Sequence, residues 1–279
     1  MFIAHYPQDV HQFDDLERLI EEYLLQDYIP DGPIIDVGST IRAQGSCFAG
    51  NIAKALSQRK LNVRHMDIQE AVNSPHANKL MYEHIIDPSK RYAFPQHEKL
   101  FPTELLDKVR NLISTETVFI LTLGLAATWF PRDGAIPIFE PDPKNLNAFD
   151  FRFEGVDENV QYIHSIVDAV RSLNPTINVV LTLSPVPLKA TVGERKSAIV
   201  GDLLSKATLR LAVERYLDQA PARVYYWPAF EVVRWLGAHL PPVFGAEDGK
   251  TRHVNQRIID LIIDLFLKHF ATEAARSPK

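Results

Sequence analysis

Blocks of apolar and polar residues alternate along this chain in a way that predicts strands and helices in turn. The runs TVFILTL at 117–123 and INVVLTL at 177–183 are almost uninterrupted apolar segments, which is typical of strands buried on both faces of a parallel sheet. Shorter strands are predicted at 37–44, 62–65 and 223–227. Elsewhere apolar residues recur every three or four positions, which predicts helices at 48–60, 104–114, 156–173, 194–217 and 253–270.

This alternation predicts one α/β domain over residues 1–279, because strands separated by helices form a mostly parallel sheet with helices on both sides. No shift in composition divides the chain. Residues 1–33 are expected to form an irregular N-terminal extension. The stretches 86–102 and 131–155 carry Pro, Asp and Asn, and we expect them to be irregular insertions that cover one edge of the sheet as lids.

Ligands of such sheets bind at the carboxyl ends of the strands. Three turns are therefore expected to meet at one edge. They are Gly45-Ser46-Cys47 after the first strand, Gly124 after TVFILTL, and Ser184-Pro185 after INVVLTL.

Charge and composition argue against some classes of partner and indicate a compartment. The 279 residues include 30 Lys and Arg against 35 Asp and Glu, a formal charge of −5, and the basic residues are scattered. Neither a nucleic acid nor a membrane is therefore an expected partner. The first residues lack a basic start followed by an apolar run, and the single cysteine suits a reducing compartment, so a soluble cytoplasmic protein is expected. The oligomeric state is left open.

Metal and cofactor motifs are missing from the sequence. The ten histidines show no pair at helical ligand spacing with an acidic partner. There is also no glycine-rich phosphate loop. We expect neither a metal nor another cofactor.

Ser46 is the candidate nucleophile. It follows Gly45 at the junction of a strand and a helix, where the helix N-terminus favours a developing oxyanion. The alternative is that Ser46 only caps the helix, as serine often does.

His253 is the candidate base, since a nucleophilic serine needs a base and an acid that orients it. Asp248 and Glu247 lie a few residues upstream and either is a candidate acid. The alternative is that His253 caps the final helix while both acids are solvated.

Several segments resemble one family in order along the chain. The string GSCFA at 45–49 is the namesake of the GSCFA family, which is related to the SGNH or GDSL hydrolases. Further matching segments are VNSPHAN at 72–78, LTLGL at 121–125, LTLSPVPL at 181–188 with Ala190-Thr191, and EDG at 247–249 with RHV at 252–254. The resemblance covers roughly residues 40 to 270. It implies a flavodoxin-like three-layer α/β/α sandwich, a nucleophile at Ser46 and a base at His253.

Two departures from the superfamily pattern concern the acid and the oxyanion donor. The acid usually stands three residues before the histidine, but here that residue is Lys250 and Asp248 stands five before. The usual Gly-x-Asn reads Gly124-Leu125-Ala126, so its side-chain donor is missing. Asn73 is a candidate replacement, and an ordinary Asx turn before Ser74-Pro75 is its alternative.

The expected activity is that of a serine ester hydrolase or O-acyltransferase acting on an acylated carbohydrate, with Gly124, Asn73 and Ser184 at the substrate. One rival is a non-catalytic carbohydrate- or partner-binding protein on the same fold. Another is a thiol acyltransferase that uses Cys47. The interpretation of Cys47 as a small buried residue on the flank of the helix is favoured, since adjacent side chains point about 100° apart.

Overall fold

The computed structural model describes residues 3–45, 47–67, 73–93, 97–132, 134, 136–139, 141–191 and 197–276. The strands are β1 Thr40–Gly45, β2 Asn62–Asp67, β3 Val118–Leu123, β4 Ala127–Pro131, β5 Phe149–Phe153, β6 Asn178–Leu183 and β7 Val224–Tyr226. The helices are α1 Leu16–Tyr23, α2 Cys47–Gln58, α3 Pro75–Ile86, α4 His97–Leu100, α5 Thr103–Ile113, α6 Val156–Leu173, α7 Ala198–Leu217, α8 Ala229–Leu236, α9 Gln256–Phe270 and α10 Glu273–Arg276.

Five strands form a parallel sheet in the order β2-β1-β3-β6-β7, and β4 pairs with β5 in a separate antiparallel hairpin. Without the hairpin strands this is the flavodoxin-like order. The chain leaves β1 toward β2 and returns on the other side of β1 as β3, so the strand order reverses between β1 and β3. Ligands of such folds bind beyond the carboxyl ends of the strands at this point.

Helices cover both faces of the sheet, which makes three layers. Alternate residues of β3 point to opposite faces, so Phe119 and Leu121 pack with α3, α5, α6 and α7, while Val118 and Ile120 pack with α1, α2, α8 and α9. The prediction of a three-layer α/β/α sandwich is confirmed. No helix in the described part of the chain is long and apolar enough to cross a membrane.

The N-terminal extension is more regular than expected. A short 3₁₀ helix, Val10–Asp14, precedes α1. The apolar residues Leu16, Leu19, Ile20 and Tyr23 recur at helical spacing and pack against the core that contains α9. The expectation of an irregular segment over 1–33 was wrong for this part, because burial of that stripe stabilises a helix.

The two expected insertions also contain regular structure. Within 86–102 the chain forms a 3₁₀ helix, Pro88–Ala93, and the short helix α4. Within 131–155, β5 pairs antiparallel with β4, and its phenylalanines alternate along FDFRF as a strand requires. The expectation of irregular stretches was wrong for these residues, since the hairpin satisfies its backbone hydrogen bonds away from the main sheet. Whether either stretch acts as a lid stays a prediction.

Candidate active site

The turn after β1 needs glycine at position 45. Gly45 has φ +141°, a conformation that side-chain-bearing residues rarely adopt. A Cβ there would also come within 2.9 Å of the Cβ and the carbonyl oxygen of Thr122 on β3. The turn is therefore held against the neighbouring strand at the switch point. Ser46 itself lies outside the described residues, so its role as the nucleophile stays a prediction.

Cys47 is exposed at the first position of α2, and the expectation that it is buried was wrong. The buried stripe of α2 begins one residue later, at Phe48. Cys47 shares its helical face with Lys54 and Gln58, which are spaced seven and eleven residues further on and are also exposed. The thiol therefore lies on the solvent side of the helix.

Gly124 follows β3, and its backbone N–H faces the β1 side of the sheet. The carbonyl oxygen of Leu123 accepts a 2.8 Å hydrogen bond from Ser184 N on the β6 side. In a trans peptide the N–H of the next residue points the opposite way, toward the strand that ends at Gly45. The Lys206 Nζ, on α7, donates a 2.6 Å hydrogen bond to the Gly124 carbonyl oxygen and holds this turn from the other direction.

Asn73 lies directly against Gly124. A Cβ at Gly124 would come within 2.5 Å of Asn73 Nδ2, so glycine leaves the room that this amide occupies. Asn73 is only 4% exposed, and its Oδ1 has no hydrogen-bond partner among the described residues. The structure thus brings together Gly124 and Asn73, which sequence analysis named as separate candidates. It shows no Asx turn at Asn73.

Ser184 is buried beside the same edge. Its backbone N–H bonds to Leu123, and its Oγ accepts a 3.3 Å hydrogen bond from Val186 N. These contacts shape the turn after β6. A contact between Ser184 and substrate stays a prediction.

His253 and Asp248 form a hydrogen-bonded pair. The distance from His253 Nδ1 to Asp248 Oδ2 is 2.7 Å, and the two side chains are 52% and 40% exposed. The backbone N–H of Lys250 donates to the other carboxylate oxygen at 2.9 Å. The hydrogen bond from Lys250 N contributes most, and together with the hydrogen bond from His253 it holds the pKa of Asp248 below its usual value. The carboxylate is therefore ionised at neutral pH and accepts a hydrogen bond from the Nδ1–H of the imidazole.

Glu247 makes a different contact. Its Oε1 accepts a 2.7 Å hydrogen bond from the backbone N–H of Gln256, the first residue of α9. This satisfies one of the free donors at the helix N-terminus. The helix starts three residues later than expected, so His253 lies in the loop before it. Of the two candidate acids, only Asp248 contacts the imidazole.

The loop of His253 is docked on the chain that follows β6. Arg252 Nε donates a 2.8 Å hydrogen bond to the carbonyl oxygen of Pro187, and Phe244 forms an antiparallel bridge with Val254. Gly245 N also donates to His253 O at 2.9 Å. The Asp248–His253 pair is thereby tied to the carboxyl edge, where the turns after β1, β3 and β6 lie.

A buried polar network behind this edge was missed by sequence analysis. Gln44, the residue before Gly45, donates from Nε2 to Asn78 Oδ1 at 2.6 Å and accepts from Tyr82 OH at 2.7 Å. Asn78 in turn donates to the Ser74 carbonyl oxygen at 2.8 Å. The only available signal was a glutamine inside an otherwise apolar strand end, and its partners are more than 30 residues away. The network joins the turn after β1 to the segment that carries Asn73.

A second missed cluster surrounds Glu154, which follows β5. Its carboxylate bonds to His76, Thr128 and Tyr162, and the His76 and Tyr162 rings stack at 4.6 Å. The sequence suggests no role for His76 or Glu154, because no local spacing relates them. No cluster of three or more metal-ligating side chains occurs in the described part of the chain.

The sheet order defines an α/β protein in which Asn73 contacts Gly124 after β3, and the loop of the Asp248–His253 pair is bound to the segment after β6. The chain belongs to the GSCFA family, whose family model matches residues 82–266, more than half of the chain. The resemblance stated from the sequence is thereby confirmed. The match starts after the GSCFA string at 45–49, so that string is an additional similarity outside the matched range.

Solved structures with a similar overall arrangement include three at low sequence identity. One is described as a GDSL-like lipase from Parabacteroides merdae, at 9% identity over 85% of this chain and 98% of that chain, with a TM-score of 0.45. A carbohydrate esterase family 2 enzyme with its carbohydrate-binding domain, from Corynascus thermopiles (Myceliophthora fergusii), is 12% identical over 86% of this chain and 67% of that one, with a TM-score of 0.42. The periplasmic domain of a lipopolysaccharide acetyltransferase from Salmonella ser. Paratyphi A is 12% identical over 94% and 96%, with a TM-score of 0.42.

No curated protein matches this sequence. Membership of the family therefore rests on the family model, and the fold rests on the strand order.

Proposed function

We propose that this protein is a serine ester hydrolase or O-acyltransferase that works through an acyl-serine intermediate. Ser46 attacks the acyl carbonyl, His253 takes the proton from the serine and returns it to the leaving group, and Asp248 orients His253. Water or a second hydroxyl then attacks the acyl-enzyme. The first acceptor gives hydrolysis, and the second gives transfer.

The observation that carries this proposal is the 2.7 Å hydrogen bond between His253 Nδ1 and Asp248. A carboxylate that accepts from Nδ1 fixes the tautomer in which Nε2 carries the lone pair, and that is the form a general base requires. Because the Asp248 carboxylate stays ionised, it also stabilises the imidazolium that forms when His253 takes a proton. The irregular spacing of acid and histidine is accommodated by the loop, which turns through Gly249 at φ +71°.

Two donors are proposed for the oxyanion. The Gly124 N–H faces the β1 side of the sheet, and the Asn73 amide nitrogen lies next to it. A side-chain amide and a backbone N–H that converge on one point stabilise a tetrahedral intermediate. Asn73 would thus take the place of the asparagine that Gly124-Leu125-Ala126 lacks.

The proposed substrate class is an acylated carbohydrate. Its support is that members of the superfamily that the sequence resembles often act on acyl groups of carbohydrates.

Exposure of Cys47 supports one alternative, a thiol acyltransferase. The cysteine is the first residue of α2 and directly follows Ser46 along the chain. In that mechanism Cys47 would carry the acyl group in place of Ser46. The two mechanisms predict opposite results for the same pair of variants.

The test is turnover of short p-nitrophenyl esters by wild type and by Ser46→Ala. We expect the variant to lose about three or more decades in kcat, since members of a triad act as a unit. The matched control is Ser57→Ala, an exposed serine on the same helix, which should keep wild-type turnover. A fluorophosphonate probe should label wild type and Ser57→Ala but not Ser46→Ala. Wild-type turnover in Ser46→Ala would overturn the serine mechanism, and absence of both turnover and labelling in wild type would favour a binding protein.

A further inference from the structure

We propose that Glu154 is a positioning residue that holds the Asn73 amide beside Gly124. This inference rests on the proposed function, because it assigns to Asn73 the role of oxyanion donor. Among the described residues, Glu154 has no hydrogen bond to Asn73 or to the Asp248–His253 pair. It acts through the two chain segments that meet where Asn73 and Gly124 are in contact.

The Glu154 side chain is almost fully occupied by hydrogen bonds. Oε1 accepts from His76 Nδ1 at 2.7 Å and from Tyr162 OH at 2.8 Å, and Oε2 accepts from Thr128 Oγ1 at 2.8 Å. The carboxylate is 7% exposed. Three donors from three different elements therefore converge on one buried acid.

Two of these donors, His76 and Thr128, belong to or contact the segment that carries Asn73. His76 lies three residues after Asn73, in the first turn of α3. Ser74 caps that helix by accepting from Ala77 N at 3.2 Å, and its Oγ lies 3.4 Å from Thr128 Oγ1. Glu154 therefore holds the start of α3 in place, directly through its hydrogen bond to His76 and indirectly through Thr128.

The backbone of Glu154 holds the other segment. Its N–H donates a 3.0 Å hydrogen bond to the carbonyl oxygen of Ala126, two residues after Gly124. Thr128 belongs to the same segment. One residue thus ties together the two stretches of chain between which Asn73 Nδ2 and Gly124 are packed without room for a methyl group.

The charge state of the Glu154 carboxyl group favours this arrangement. Burial alone would raise the pKa of Glu154, but the hydrogen bonds from His76, Thr128 and Tyr162, together with the charge of His76, hold it below the usual value. An ionised carboxylate has lone pairs for all three donors. Glutamine has the same shape but replaces one acceptor oxygen by a donor, so Glu154→Gln disturbs the contacts without emptying the space.

The first test is a double-mutant cycle on p-nitrophenyl ester turnover with Glu154→Gln and Asn73→Ala. Removal of an oxyanion donor costs roughly 10²–10³ in kcat, so we expect a loss of that order for Asn73→Ala. We expect Glu154→Gln to lower kcat by about tenfold or more with KM within about twofold, and to cause no further loss in the Asn73→Ala background. Equal losses in both backgrounds would overturn the positioning role.

Two further variants keep the cycle interpretable. Glu21→Gln is the matched control, because Glu21 also pairs with a histidine, His269, at 2.7 Å, but lies on α1 away from the edge. It should leave kcat unchanged. If Glu154→Gln fails to fold, Thr128→Val removes the contacts of Thr128 Oγ1 to Glu154 and Ser74 at constant shape. It should reproduce the loss in kcat and the absence of that loss in the Asn73→Ala background.

A second readout does not depend on activity and separates this inference from the proposed function. The side-chain NH₂ resonance of Asn73, identified by its loss in Asn73→Ala, should shift in Glu154→Gln and stay in place in Glu21→Gln. An unmoved resonance in Glu154→Gln would overturn the positioning role whatever the enzyme activity. A shifted resonance with full activity in Ser46→Ala would retain the coupling and reject the serine mechanism.

Discussion

Two histidine–carboxylate pairs in this molecule have the same hydrogen-bond length and opposite surroundings. In both, a ring Nδ1 lies 2.7 Å from a carboxylate oxygen. His253 and Asp248 are 52% and 40% exposed, whereas His76 and Glu154 are 12% and 7% exposed. The first pair lies in the loop that the Phe244–Val254 bridge closes before α9, and the second lies between a hairpin and two helices.

The difference shows what each pair can do. Asp248 has one side-chain donor, His253, and the imidazole remains accessible to a reacting group. Glu154 has three side-chain donors, and removal of its carboxylate leaves all three without this acceptor. The same chemical unit is therefore suited to proton transfer in one place and to fixing the chain in the other.

The largest effect is expected for Asp248→Asn, which alters the exposed pair. Asparagine keeps the shape but no longer holds the catalytic tautomer of His253, so we expect kcat on p-nitrophenyl esters to fall by roughly three to four decades. The melting temperature should stay unchanged, since the side chain is exposed.

The control for this variant is Glu247→Gln. It alters the contact to Gln256 N at the start of α9 and should retain turnover. Loss of activity in Glu247→Gln together with an active Asp248→Asn would reassign the acid to Glu247.

The buried pair should show the reverse behaviour in stability. Glu154→Ala leaves the donors of His76, Thr128 and Tyr162 without their acceptor, so we expect the free energy of unfolding in urea to fall by about 3 kcal/mol. Loss of the hydrogen bond to His76 alone would not account for a decrease of this size. An equally stable variant would show that water or rearrangement replaces the carboxylate.

The pH dependence of that loss has a definite sign. The pKa of Glu154 is lower in the folded state than its usual value of 4.5. Its contribution is therefore complete above about pH 4.5 and is lost as pH falls through the folded-state pKa. The stability difference between wild type and Glu154→Ala should shrink in acid, and a difference that grows in acid would contradict the assignment.

The smallest expected effect tests whether exposure at the edge is sufficient for function. Cys47 is as accessible as the His253 loop but has no acid–base partner among the described residues. Cys47→Ala should change the free energy of unfolding by no more than about 0.5 kcal/mol and leave ester turnover near wild type. A folded but inactive Cys47→Ala, with an active Ser46→Ala, would move the nucleophile to the thiol.

Most of the fold could be predicted from the sequence. The two apolar runs became β3 and β6, and the predicted helix at 156–173 has the bounds of α6. The helices α3 and α8 and the β4–β5 hairpin were not predicted. The apolar face of α3 includes Asn78 and His84 among its buried residues, so its periodicity is interrupted by polar residues that find partners only in the folded chain.

The candidate site was predicted in part. Gly45, Gly124 and His253 were named from motifs and from the rule that parallel strands end at one edge. The burial of Cys47 was predicted wrongly, because the 100° step between neighbouring residues says that two side chains diverge but not which of them faces the core.

Local patterns along the chain are enough to predict the parallel α/β sandwich, the family and the strand ends at which chemistry is expected, because hydrophobic periodicity and short motifs are local properties. Three features are visible only in the folded chain: Asp248 rather than Glu247 contacts His253, Asn73 packs against Gly124, and Glu154 accepts from three side-chain donors. Each of these outcomes depends on atoms that are distant along the chain or on which of two adjacent carboxylates faces the imidazole. The physical reason is that hydrogen bonds are directional and short-ranged, so their partners are fixed only once packing has set the positions of the segments.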